Sequence, residues 1–290
     1  MNYCSNPSLI TLHGSWAFNH ARKSELIPMW VHCKWIQDHS FLLPALPGIH
    51  DIVRDPQNII PWSQRQSTRL FWRARSTGID FSPERDWRTS HRVRLHFYAK
   101  NKTGTVELLQ ENEIDGSDAG KRRDHDSKKK SGNNRLILKS YPRAEVTEKY
   151  LDVGLVGPLI QCNGPPPLCE DIEKEIQFLE VVSKSSGQDA KFVADIDGNG
   201  WSQRYARLLS TGSVVFKSTV FPEWNTNWLI PYYHYVVCTL LFPFVPYLSL
   251  HVSPSKSTIP IFSIPWRSLQ AGLMVPQATM NWQNRLARTR

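Results

Sequence analysis

The stretch KFVADIDGNGWSQRYARLLSTGSVVFKS, residues 191–218, limits the possible folds more than any other part of the chain. KFVAD is a short, mostly apolar run of the kind found in strands buried on both faces. It leads into a turn containing Gly198 and Gly200, then into the helix formers of WSQRYARLL, then into the β-branched SVVFKS. Strand, glycine turn, helix and strand in that order predict the crossover unit of a parallel sheet. With 290 residues, 40% of them hydrophobic and 11% aromatic, the chain can bury a sizeable core around such a sheet. The expectation is an α/β fold.

Two chemistries fit the turn. Asp195, Asp197, Asn199 and Gly200 fall where a calcium-binding loop places its first three oxygen ligands and its glycine. Such a loop must follow a helix and close with a bidentate acid at its twelfth position. Here a strand precedes it and the twelfth position is Ala206. The phosphate reading needs less. Gly198 and Gly200 let the backbone approach a ligand closely, Ser202 adds a hydroxyl, and Arg204 offers a forked cation to a diphosphate at the start of a helix. A structural turn with a surface arginine remains the plain alternative.

Elsewhere, STRLFWRA, ending at Ala74, alternates as a strand, and RDWRTSHRVRLHFYAKN (85–101) predicts an amphipathic helix. Residues 111–135 are polar, charged and glycine-dotted, which predicts a flexible loop; its KRRDHDSKKK reads as a solvated insertion rather than a nuclear signal. CEDIEKEIQFLEVV predicts a helix with Ile172, Ile176, Leu179 and Val182 on one face and early carboxylates favourable to its dipole. None of the five cysteines forms a C-x-x-C pair. Cys162 and Cys169 flank NGPPPL, so a disulfide and two free buried thiols both remain open. NKT at Asn101 is an acceptor sequon for a chain that enters the secretory pathway.

The net charge of +9 suggests nucleic acid, but the charge is unevenly placed. Lys256, Arg267, Arg285, Arg288 and Arg290 lie in 237–290, which contains no acid, and removing them leaves +4. No nucleic-acid partner is therefore expected. No charged leader and apolar run open the sequence, so membrane association is expected only through an anchor that this sequence does not carry.

KFVADIDGNGWSQRYARLLSTGSVVFKSTVFPEW, followed by HYV, resembles the diagnostic block of the capsule-associated-protein glycosyltransferases, glycosyltransferase family 90, which include the Rumi-type protein O-glucosyltransferases. Fungal members are nearest in wording. LFWRARSTG (70–78) is similar to a second block, and HGSWAF, IP and HDIV match faintly, so the likeness spans roughly 6–236. It implies a GT-B fold of two Rossmann-like lobes and an inverting transfer of glucose or xylose from a UDP-sugar to a hydroxyl of a glycan or protein. The expected location is the ER or Golgi lumen. By matching position, Arg204 and Ser202 would hold the diphosphate, Gly198 and Gly200 would shape the turn, Arg73 would add charge, and Glu223 would sit near the nucleoside. No metal and no cofactor beyond the donor are implied. Two departures stand out. Ala74 and Arg75 replace the usual glycine and serine, and no position matches the family's general-base aspartate; Asp38 and Asp51 fit poorly, so no catalytic base is assigned. A catalytically inactive fragment that at most binds nucleotide sugar is the competing reading.

These considerations divide the chain into a remnant of an N-terminal lobe (1–66), a nucleotide-sugar-binding lobe (67–236) and an aberrant tail (237–290). The run VVCTLLFPFVPYLSLHV is interrupted by Pro243 and Pro246 and falls short of the roughly 20 apolar residues of a membrane span. Read two bases later, the codons of Ala278–Asn284 and Ser257–Arg267 become compatible with the family-like NHELA and DYSDLLDTMA. Val237-Cys238 and Val252-Ser253 can encode intron boundaries. An unspliced intron followed by a frame change accounts for the acid-free tail, which is expected to pack poorly.

Overall fold

The computed structural model describes residues 29–35, 38–44, 52–53, 55–112, 135–238, 250–252 and 261–262. In chain order its elements are β1 (Trp30–Val31), β2 (Phe41–Leu42), β3 (Ser67–Ala74), α1 (His91–Lys100), β4 (Thr105–Asn112) and β5 (Arg135–Pro142). They continue with α2 (Arg143–Tyr150), β6 (Leu151–Leu155), α3 (Pro166–Ile176), β7 (Ala190–Ile196), α4 (Tyr205–Ser210) and β8 (Val214–Ser218). Three short strands follow, β9 (Val236–Val237), β10 (Leu250–Val252) and β11 (Ile261–Phe262).

Five strands form a wholly parallel sheet in the order β6-β3-β7-β8-β9. This is the doubly wound order 2-1-3-4-5. The chain adds β6 on one side of β3 and then crosses back to lay β7 on the other, so winding reverses between β3 and β7. The expected strand, turn, helix and strand are all present, with Asp195 opposite Lys217 in the parallel register of β7 and β8. Side-chain alternation sorts the core. Leu70, Trp72, Phe192, Ala194, Ile196 and Phe216 meet Val93 and Leu95 of α1, Val146 of α2 and Ile172 and Ile176 of α3. The intervening residues Val193 and Val215 meet Tyr205 and Leu208 of α4.

Several expected boundaries move. The helix expected over 85–101 begins at His91, after a 3-10 turn at Trp87–Thr89, and it buries His91, Arg92 and His96 beside Val93 and Leu95. It is therefore not amphipathic in the ordinary sense: its basic side chains are buried because they satisfy backbone groups. His96 shows the pattern, since its Nε2 donates to Ile176 O (2.7 Å) while its Nδ1 accepts from Leu155 N (3.0 Å). Burial holds its pKa below the usual histidine value, which fits the neutral ring that those two bonds require. α3 starts earlier than expected, with Pro166 in its first turn, and ends where Gln177 turns left-handed (φ 53°). Ile172 and Ile176 are buried as expected, but Leu179 and Val182 lie beyond the helix and are exposed. Glu170 and Asp171 consequently fall outside the first turn, where the dipole argument had put them.

The sequence also hid a β-hairpin. β4 and β5 pair antiparallel from Thr105↔Pro142 to Asn112↔Arg135, inserted between α1 and α2. Most of the segment expected to be a flexible loop, 113–134, lies outside the described residues. From the tail, β10 pairs parallel with β4 and antiparallel with β11; the remainder of 239–290 lies outside the described residues. Among the described residues no helix is long and apolar enough to cross a membrane.

Cys162 and Cys169 are joined in a disulfide, which resolves the open alternative and ties the loop after β6 to the first turns of α3. Closing so short a loop removes about 2–3 kcal/mol of unfolded-chain entropy. Denaturant titration of the chain with Cys169→Ala should show a stability loss of about that size, and adding a reductant to the parent should reproduce it.

Candidate functional site

In doubly wound sheets the crevice lies outside the carboxyl ends of the strands, where winding reverses. Here that point is bounded by the loop after β3 (Arg75 to Gly78) and the turn after β7 (Asp197 to Gly200). Arg92, at the start of α1, fastens the two together. Its Nε donates to Asp197 O (2.7 Å), its Nη2 to Ile196 O (2.9 Å), and its Nη1 to Arg75 O (2.8 Å) and to Thr77 Oγ1. Burial and the neighbouring Arg204 lower its pKa to about 9, while Asp197 and Asp195 act in the opposite direction. His91 Nε2 adds a second bond to Asp197 O (2.7 Å), and Gly78 N donates to Asn199 Oδ1 (2.8 Å).

Close packing explains both expected glycines. A Cβ on Gly198 would stand 2.7 Å from Thr77 Oγ1 and 3.1 Å from Arg92 Nη2, and one on Gly200 would stand 2.5 Å from Cys33 Sγ. Their freedom from a side chain is thus used by the protein's own chain. The segment 32–35 lies against this turn and the loop after β8: the His32 and Trp201 rings meet at a tilt (4.7 Å between ring centres), and Lys34 N donates to Pro222 O (3.1 Å). Burial first, and then the charges of Asp197 and Glu223, push the Cys33 thiol up to about 12.

Ser202, Arg204 and Glu223 converge with Asp195 and Lys217 on the other face of β7. Ser202 Oγ donates to Asp195 Oδ1, and Arg204 pairs with the same oxygen at 3.6 Å while its Nη2 donates to Ile196 O (2.8 Å). Lys217 Nζ contacts Asp195 Oδ2 (3.1 Å) and Glu223 Oε1 (2.8 Å), and lies 3.9 Å from the centre of the Tyr205 ring. Burial alone would lower the Lys217 pKa, but Asp195, Glu223 and Asp197 hold it above its ordinary value. Ser202, Arg204 and Glu223 are therefore joined through Asp195, which the sequence reading weighed only as a calcium ligand, and Lys217, to which it assigned no role. Both Asp195 oxygens are taken up by this network.

Arg73 belongs to a different set of contacts. It pairs with the Asp152 carboxylate and donates to Asp152 O (2.6 Å), with its guanidinium 5.0 Å from the Phe71 ring centre. It nevertheless shares one shallow cleft with Arg204, Arg207, Phe71, Gly187 and Gln188. Ala74 is buried in the core, and the backbone oxygen of Arg75 is one of the acceptors of Arg92.

Asp197 is wholly buried. Its Oδ2 accepts from Thr219 Oγ1 (2.7 Å) and Val220 N (2.7 Å), while its Oδ1 has no partner among the described residues. Burial, with a smaller push from Glu223, raises its pKa to about 7 against the pull of Lys217. Nothing in the sequence marks this carboxyl apart from its neighbours, because its environment comes from β8 and the loop after it.

Two outcomes follow from these contacts. Arg92→Ala orphans backbone carbonyls on both loops and should cost at least about 3 kcal/mol in denaturant titration. Arg92→Lys should recover little of that, since one ammonium cannot reproduce the fork. The second concerns pH. Folded Asp197 keeps a proton that the unfolded chain releases near its ordinary pKa of 3.8. Its contribution to stability is therefore complete below that value and is lost as pH rises through about 7. The buried Glu223, also raised, acts with the same sign. Between pH 5 and 8 the parent should lose more stability than Asp197→Asn, and equal slopes for the two proteins would contradict the assignment. No family model, curated protein or solved structure matches the chain, so the character of this site rests on its own geometry.

Proposed function

We propose that the sheet lobe binds the diphosphate of a nucleotide sugar at the winding reversal, and that the chain descends from an inverting glycosyltransferase of the capsule-associated-protein type. The observation that carries this reading is the conjunction of the 2-1-3-4-5 parallel order with a glycine turn after β7 and Ser202 and Arg204 just beyond that turn. Arg204, a quarter exposed and with its buried Nε unpartnered among the described residues, is the cation best able to turn to a phosphate. Ser202 stands two residues before it. Lys217 holds Glu223 in a fixed position beside Asp195, where it would meet the nucleoside end of the donor. Gly198 and Gly200 keep the turn tight enough for these groups to stay together. Arg73 would have to exchange its bond to Asp152 for one to the ligand.

In this reading the donor is UDP-glucose or UDP-xylose and the acceptor a hydroxyl of a glycan or protein. The second lobe of a GT-B fold would be built around the part of the chain before Ser67. The chemistry is direct displacement at the anomeric carbon, with departing diphosphate charge neutralised by cationic side chains. No residue of this chain is assigned as general base. Loss of a positioned base typically removes about a hundred- to ten-thousand-fold of rate, so binding is the property to test first.

Calorimetric titration with UDP should show binding to the parent and a loss of about 1.5–3 kcal/mol for Arg204→Ala, the range of a charge-assisted hydrogen bond. Equal affinity of the two proteins would remove Arg204 from the site. Absence of binding to the parent would remove the nucleotide reading altogether.

A further inference from the structure

The C-terminal end of α1 carries a feature unrelated to the crevice. Asn101 closes the helix, its N–H bonding back to Phe97 O (2.9 Å), and the chain then passes through Lys102, Thr103 and Gly104 into β4. All four residues are exposed. The side chain of Asn101 is not loose, however. Its Oδ1 accepts from Thr103 N (2.9 Å) and from Thr103 Oγ1 (2.8 Å), so the hydroxyl two residues on is held against the amide. The turn is anchored from the other side, with Arg143 N donating to Gly104 O (3.0 Å) and Arg143 Nε to Thr103 O (3.2 Å). Gly104 has a left-handed φ of 78° and nothing within 4 Å of where a Cβ would be, so the turn faces open space.

A second, independent observation concerns redox state. The Cys162–Cys169 disulfide requires an oxidising compartment to form and persist. In eukaryotic cells that compartment is also where asparagine in an Asn-x-Thr sequence meets the enzyme that modifies it. Asn101-Lys102-Thr103 meets the sequence rule and is exposed, so the folded chain leaves room for a sugar there.

We infer that Asn101 is an N-glycosylation site, modified when the chain passes through an oxidising, glycosylating lumen. The co-reactant is an oligosaccharide linked through a diphosphate to a lipid. The Asn101 Nδ2 bonds to the anomeric carbon as the carbon–oxygen bond to the diphosphate breaks. The nitrogen gives up one proton, and the lipid diphosphate leaves with the electron pair. The sugar would not obstruct the crevice. α1 begins at the crevice with His91 and Arg92, and its ten residues carry Asn101 about 15 Å along the helix axis.

The test directs the full chain, behind a cleavable leader, into the secretory pathway of a eukaryotic host. Peptide mass spectrometry before and after amidase treatment should find Asn101 converted to aspartate only in treated material. A one-glycan mobility shift should disappear in both Asn101→Gln and Thr103→Ala, and persist at least in part in Thr103→Ser. Because the glycan is added to the emerging chain, the readout does not depend on a variant reaching its final fold. Non-reducing peptide mapping of the same material should recover Cys162 and Cys169 as one linked peptide. An unmodified Asn101 in lumen-delivered chain overturns the site. Free thiols at both cysteines overturn the compartment on which it depends.

Discussion

The carboxyl edge of this sheet depends on one buried guanidinium. Arg92 donates to backbone or side-chain oxygens at four positions, Arg75, Thr77, Ile196 and Asp197, which belong to loops about a hundred and twenty residues apart in sequence. A group that keeps its charge in the interior must be surrounded by oxygens. The carbonyls at the ends of β3 and β7 meet that need while having their own donors supplied. The result fixes the separation of the two strands at the point where winding reverses, and with it the placement of the turn holding Asn199 and Gly200. A similar device works at the opposite end. Arg65 donates to Ile60 O, Gln188 O, Ala190 O and Thr211 O, and so closes the amino edge of β7 and the loop before β8.

Between these fastenings lies the buried charge network of Asp195, Lys217 and Glu223. One ammonium serves two carboxylates, and the Arg204 guanidinium brings a second positive charge to Asp195. Asp197, two residues further along and equally buried, keeps its proton to about pH 7 because burial disfavours its charge by more than Lys217 favours it. The same network holds Ser202 and Arg204 on one oxygen of Asp195. A ligand that recruits Arg204 would therefore draw on a contact that already exists. Under the proposed nucleotide reading, affinity would then depend on the ion pairs behind Arg204.

Much of this was legible before any fold was in hand. The parallel unit from KFVAD to SVVFKS, the strand ending at Ala74, and Ile172 and Ile176 as the buried face of a helix all follow from local pattern. What misled was α1, whose basic face suggested solvent, and the 113–134 neighbourhood, whose polarity concealed the strands flanking it. Periodicity reports only whether a residue is apolar. It cannot report that a histidine or an arginine will be buried because backbone groups elsewhere need it.

The sequence by itself determined the strand-forming runs, the places where a side chain is not tolerated, and the sequon at Asn101, because each depends on residues within a few positions of one another. The tertiary structure alone decided the strand order, the pairing of Cys162 with Cys169, the recruitment of Lys217 between Asp195 and Glu223, and the tie made by Arg92. These depend on segments that meet only after the chain has crossed the sheet. A local pattern holds no record of which backbone oxygen or which carboxylate will stand opposite.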